Sequence, residues 1–175
     1  MDNEMLLKPF IEDSQRWIHI REFARELKIS PASAKKKLEE LKKENLLDRK
    51  EERGFVLYKA NEKNENFKNI KIFENVKKIN ESKLVSEISD EYMPDAIILF
   101  GSTSKGLDRK DSDIDIAIIT SNKQSHTKEN LKKFEQILKK KIQTFVMSAK
   151  ELKEHKELAN NILNGKILSG YIEVF

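Results

Sequence analysis

The sequence predicts an α+β chain made of two unlike units, and three observations carry that expectation. About the first sixty residues alternate helix and turn before closing on two short apolar strands around Arg53-Gly54. About the last eighty alternate apolar strands with amphipathic helices, the pattern of a short mixed sheet flanked by helices. Between them lies a polar break, Asn61 to Asn66, followed by two amphipathic stretches. The expected boundaries are 1–61 for the first unit, 62–93 for a helical linker and 94–175 for the second unit.

Met5 to Ile11 suits a short first helix, and Trp17-Ile18 a brief strand or turn. Ile20 to Leu27 reads as a second helix with Phe23, Ala24 and Leu27 on one side. Lys28-Ile29 is a tight turn, and Ser30-Pro31 starts the next helix with a side-chain oxygen at the N-cap and proline at the first helical position. That helix is expected to run to about Asn45 and to bury Ala34, Leu38 and Leu41. Leu46-Leu47 enters a strand, Arg53-Gly54 turns the chain, and Phe55 to Tyr58 returns as the second strand of a hairpin. Trp17 and Phe23 are expected in the core.

In the linker, Phe67 to about Asn80 reads as a helix with Ile70, Phe73, Val76 and Lys77 on one face, and Leu84 to Tyr92 as another. These helices suit a bridge between the units or a homodimer interface. Pro94 ends the helical stretch before a strand at Ala96 to Phe100. A second apolar strand is expected to open with Asp113 and Asp115. Ser125 to Lys140 reads as a helix, Ile142 to Met147 as a strand and Lys150 to Asn164 as largely helical. Gly165 is expected as its C-terminal cap, and Ile167 to Val174 as a last strand.

Apolar residues make up 38% of the chain and charged residues 37%, consistent with small cores under a heavily charged surface. A net charge of +4 permits nucleic-acid contact without demanding it. With no cysteine, a disulfide framework and any cysteine-based zinc or redox site are excluded. The three histidines, His19, His126 and His155, show no ligand spacing. No apolar run approaches the roughly 20 residues of a membrane span. The amino terminus lacks a secretory layout, so the expected location is the cytoplasm, with no membrane partner.

The most informative segment runs from Phe100 to Thr120. A strand feeds Gly101-Ser102 and a helix, an arrangement that suits phosphate because free backbone N–H groups point outward and glycine permits close approach. Ten residues later come Asp113 and Asp115, separated by one residue, so that on a strand they share a face. Two such charges are unfavourable together unless a cation lies between them. The pair points to a nucleoside triphosphate with magnesium. Two rival motifs fail: Leu107-Asp108 stands where a P-loop needs Lys-Ser/Thr, and Ile116 and Asn122 stand where a calcium loop needs glycine and glutamate.

Gly101-Ser102 followed by Asp113-x-Asp115 resembles the signature of the DNA polymerase beta-type nucleotidyltransferases, in their minimal form. The resemblance covers about Met93 to Phe175. It implies magnesium-dependent transfer of a nucleoside monophosphate from an NTP, with ATP the expected donor, to a hydroxyl acceptor. It also implies that Asp113 and Asp115 are the catalytic metal ligands, and that Gly101 and Ser102 hold the triphosphate, with Lys105 beside them. Related minimal domains act as antitoxins that modify a partner toxin, so a protein hydroxyl is an expected acceptor. Such enzymes usually add a third carboxylate on a following strand. Here Gln143 or Thr144 takes that place, and neither acts as a general base at neutral pH. His126 is the substitute base the sequence offers, although a surface position suits it better.

The order helix, helix, turn, helix and two-stranded wing over residues 4–60 is similar to the winged helix-turn-helix family. This implies DNA contact by Ser33, Lys35 and Lys36 at the start of the third helix, with Arg49, Lys50 and Arg53 reaching the backbone or minor groove. The alternative to an enzyme is a DNA-binding regulator whose nucleotidyltransferase domain is silent and senses nucleotide.

Overall fold

The computed structural model describes residues 3–121 and 131–172. The chain divides into two compact units, residues 1–71 and 72–175.

In the first unit, α1 (Asn3–Glu12) leads through β1 (Ile18–His19) into α2 (Ile20–Glu26) and α3 (Pro31–Lys43). Ser30 caps α3, its hydroxyl accepting the Ser33 N–H at 3.2 Å, with Pro31 in the first turn as expected. The strands β2 (Leu47–Glu52) and β3 (Phe55–Ala60) follow, and β3 lies centrally in an antiparallel sheet of order β1-β3-β2. Arg53 and Gly54, both with positive φ, form the β2–β3 turn. Leu7, Phe10, Ile18, Phe23, Ala34, Leu38, Leu41 and Tyr58 make the centre of a single core. Each fully buried large apolar side chain there contributes about 1.5–3 kcal/mol.

Two expectations for this unit change. Trp17 is half-buried outside that core, with the Lys50 and Lys59 ammonium groups 4.5 and 5.2 Å from its ring centroid. It immediately precedes the two-residue β1 and lies against these lysines of β2 and β3. Asn61 is buried rather than part of a free linker, because its amide donates to the Asn45 carbonyl at 2.9 Å.

Helix α4 (Glu65–Glu81) begins in the first unit and continues into the second. Phe67, Lys71 and Ile79 are its buried positions, while Phe73, expected on the apolar face, is 56% exposed. The stripe follows the i, i+4 spacing of 67, 71, 75 and 79, which leaves Phe73 on the other side.

The second unit continues with α5 (Leu84–Tyr92), β4 (Ala96–Phe100), the single turn α6 (Gly101–Ser104) and β5 (Ile114–Ile119). After α7 (Lys132–Leu138) come β6 (Ile142–Met147), α8 (Ala149–Glu154), α9 (Lys156–Leu163) and β7 (Lys166–Gly170). The four-stranded sheet has the order β6-β5-β4-β7; β5 and β6 are parallel and the other pairs antiparallel. Both faces are covered, one by Ile79, Leu84, Ile88, Tyr92 and Phe134, the other by Leu152, Ala159 and Ile162. This explains why β4 is buried at every residue and reads as a continuous apolar run.

Two local expectations are corrected, at Asp113 and at Gly165. Asp113 precedes β5 instead of opening it. Residues 150–164 are largely helical as expected, in two helices, α8 and α9, that meet at His155 (φ −105°, ψ 72°). Gly165 is not a left-handed cap: a Cβ there would collide with the Leu99 carbonyl, so glycine serves the close approach of α9 to β4. The helix predicted from Ser125 has described residues only from Leu131, and α7 begins at Lys132. His126 and Asn122 lie outside the described residues, as does the Val174 end of the last strand.

Candidate functional site

The site is built where β4 ends and β5 begins, two adjacent antiparallel strands. Phe100 pairs with Asp115, so Gly101 follows directly beside that carboxylate. Gly101 has φ 71°, and a Cβ built on it would overlap Asp115 Oδ2. Both facts require glycine here, since an L side chain would be strained and would displace the carboxylate. The sequence signal of a glycine after an apolar strand therefore has a double cause.

Gly101 opens α6, a helix of one turn. One turn supplies first-turn amides but little macrodipole. Phe100 at the N-cap provides no side-chain bond to those amides. Ser102 is half-buried and Lys105 exposed. The turn is held from beneath: Ser104 Oγ donates to the Gly101 carbonyl at 2.9 Å, Thr103 Oγ1 to the Asp113 carbonyl at 3.2 Å, and Leu107 N to the Ser102 carbonyl at 3.0 Å. The Thr103 bond ties the glycine-serine turn to the aspartate pair.

Asp113 and Asp115 lie close enough for one charge to act on the other. Burial, and after it the Asp113 charge, hold the Asp115 carboxyl above its ordinary range. A cation between the two would oppose both effects. Among the described residues no group of three or more His, Cys, Asp or Glu could hold a metal ion. The donor set nevertheless fits magnesium, which takes one or two carboxylates and completes its shell with water and substrate phosphates.

The sheet register decides what faces the pair from β6. Asp115 is level with Gln143 on the parallel strand, whereas Thr144 is level with Ile116 and points to the opposite face. Of the two residues the sequence left open, Gln143 is the one at the site. Its Nε2 donates to Asp113 Oδ2 at 2.6 Å. Sequence reading also missed Asp108, Asn75 and Lys140, which meet under the loop between α6 and β5. Lys140 stands in a Lys139-Lys140-Lys141 run indistinguishable by composition from solvated surface lysines.

In the first unit, Ser33, Lys35 and Lys36 are exposed along the first turns of α3, and Arg53 is exposed at the hairpin turn. Arg49 and Lys50, expected beside them, are already engaged. Arg49 Nε lies 3.6 Å from Glu39 Oε1, and Lys50 Nζ is paired with Glu52. Glu39 also accepts the Tyr58 hydroxyl; burial, with Glu39 behind it, pushes that phenol up to about 12. Glu39 thus links α3 to the hairpin through Tyr58 and Arg49.

Residues 81–169 match the model of a family described as the nucleotidyltransferase domain, just over half of the chain, and the chain belongs to that family. No curated protein and no solved structure matches it significantly. No helix among the described residues is long and apolar enough to cross a membrane.

Proposed function

We propose that this member of the nucleotidyltransferase domain family binds ATP or another NTP with magnesium in its second unit and transfers the nucleoside monophosphate to a hydroxyl of a partner protein, in the manner of an antitoxin. The observation that carries the reading is the seat of Asp115 against the Cβ-less Gly101, beside Asp113. In this reading the amides of Gly101 and Ser102 and the Ser102 hydroxyl orient the terminal phosphates, with Lys105 at the rim. Asp113 and Asp115 hold magnesium, which when bound neutralises phosphate charge and stabilises an in-line displacement. Gln143 holds Asp113 Oδ2 in place. A carboxamide does not remove a proton at neutral pH, so in this reading the acceptor's proton leaves to water or to a group of the acceptor, while the bond between the α- and β-phosphates breaks and pyrophosphate departs.

Calorimetry of the full chain with magnesium and ATP tests this without an acceptor. Binding that requires magnesium and vanishes in the Asp113→Asn, Asp115→Asn double variant is expected; magnesium-independent or undiminished binding would sink the assignment.

The first unit, read as a winged helix, is proposed to contact DNA through Ser33, Lys35, Lys36 and Arg53. Placement of Gln143 level with Asp115 favours a second reading, a cytoplasmic DNA-binding regulator whose nucleotide site senses without transferring. Gln143→Glu separates the two. A silent domain stays silent toward any hydroxyl acceptor in the wild type, and gains transfer only with the added carboxylate.

A further inference from the structure

The loop from Lys105 to Asp113 joins the two halves of the site, Gly101-Ser102 and Asp113-Asp115. Its midpoint is held by a buried ion pair. The side chains of Asp108 and Lys140 are 4% and 17% exposed, and Lys140 Nζ donates to Asp108 Oδ2 at 2.6 Å and to the Arg109 carbonyl at 3.0 Å. Asn75 Nδ2, from α4, donates to Asp108 Oδ1 at 2.9 Å. Lys140 lies at the junction of α7 and β6, just after Lys139 turns the chain with φ 54°. Beyond Asp108 the loop closes on itself: Arg109 N donates to Ser112 Oγ at 2.8 Å and Ser112 N to the Arg109 carbonyl at 3.1 Å. Ile114 N then donates to the Lys141 carbonyl at 2.8 Å, which starts the β5–β6 pairing.

A buried ion pair adds little net stability, because desolvation offsets the attraction and a well-packed apolar pair does as well or better. What it supplies is direction, since a single ammonium with two acceptors on adjacent residues admits few loop conformations. We propose that Asp108 and Lys140 are positioning residues: in addition to the β4–β5 pairing and the Thr103 bond, their ion pair holds the loop that leads into Asp113, and thereby tunes the affinity for a magnesium–nucleoside triphosphate complex. The affinity part of this proposal rests on the reading given under Proposed function.

The test compares the full wild-type chain with Lys140→Met and with the Asp108→Leu, Lys140→Met double variant, using three readouts. These are the thermal midpoint, calorimetric affinity for magnesium–ATP, and hydrogen exchange of the 105–114 segment without ligand. Lys140→Met removes the ammonium from a buried carboxylate that keeps its Asn75 hydrogen bond, and is expected to lower both midpoint and affinity. The double variant is expected to recover most of the midpoint while binding magnesium–ATP roughly tenfold or more weakly and exchanging faster across the loop. Recovery of affinity and protection together with the midpoint would overturn the proposal. If the double variant does not fold, Lys140→Arg replaces it, keeping the charge with altered geometry. A near-native midpoint with weakened binding then supports positioning, and unchanged binding overturns it. A wild type that does not bind magnesium–ATP refutes the nucleotide reading, and loop exchange alone then decides: faster exchange at a restored midpoint supports positioning, and unchanged exchange overturns it.

Discussion

The two units treat their charged residues in opposite ways. At the start of β5, Asp115 is placed beside Asp113 at a cost: burial, and after it the Asp113 charge, raises its carboxyl. On the α3 and hairpin surface, cations expected to face a nucleic acid are consumed by nearby acids, Arg49 by Glu39 and Lys50 by Glu52. A charge assembled at a cost marks a place that awaits a ligand; a charge with a neighbour to satisfy it is part of the fold. By that measure the second unit carries the sharper site, and the exposed Ser33, Lys35, Lys36 and Arg53 are what remains on the first.

The largest expected effect that probes this contrast comes from Gly101→Val. The left-handed φ costs a β-branched residue about 1–2 kcal/mol, and the side chain displaces Asp115. Magnesium–ATP binding should be lost and the thermal midpoint lowered. A variant that binds as the wild type does would break the link between Gly101 and the site.

Next in size is Glu39→Gln. It weakens the acceptor of the Tyr58 hydroxyl and removes the partner of Arg49. A loss of up to about 1 kcal/mol in denaturant unfolding is expected, together with tighter, more salt-sensitive DNA binding as Arg49 is released. Tighter binding without any loss of stability would mean that Glu39 acts only as a surface charge.

The smallest effect is Asp115→Asn, which should raise the midpoint of the metal-free protein near neutral pH. A carboxyl raised in the folded state contributes stability that is fully present below its unfolded pKa and lost as pH rises through the folded value. The variant should therefore gain most above that value and nothing at acid pH. The same substitution should abolish stabilisation by magnesium and ATP. A midpoint lower than wild type at neutral pH would show that Asp115 is satisfied without a cation.

Much of this was legible in the chain itself. The strands β4 and β6 match the expected Ala96–Phe100 and Ile142–Met147, because fully apolar or alternating runs bounded by Pro94 and Ser148 leave little choice. The Ser30-Pro31 start of α3 was legible for the same reason: caps and periodicity are interactions within a few residues. Phe73 and Gly165 were misjudged because their roles depend on which neighbour lies across from them. An apolar residue on a helix with two faces, or a glycine after a helix, looks the same whether it meets solvent or β4.

By itself the sequence determined the order of elements, the glycine-serine turn and the spacing of the aspartates, since each is set by local dihedrals and side-chain periodicity. Only the tertiary structure decided that Gln143 rather than Thr144 faces the aspartates, that Lys140 among three consecutive lysines holds Asp108, and that Glu39 pairs with Arg49. The physical reason is common to all three. Strand register and helix packing bring together residues distant in sequence, and a one-residue slip in register would exchange every partner.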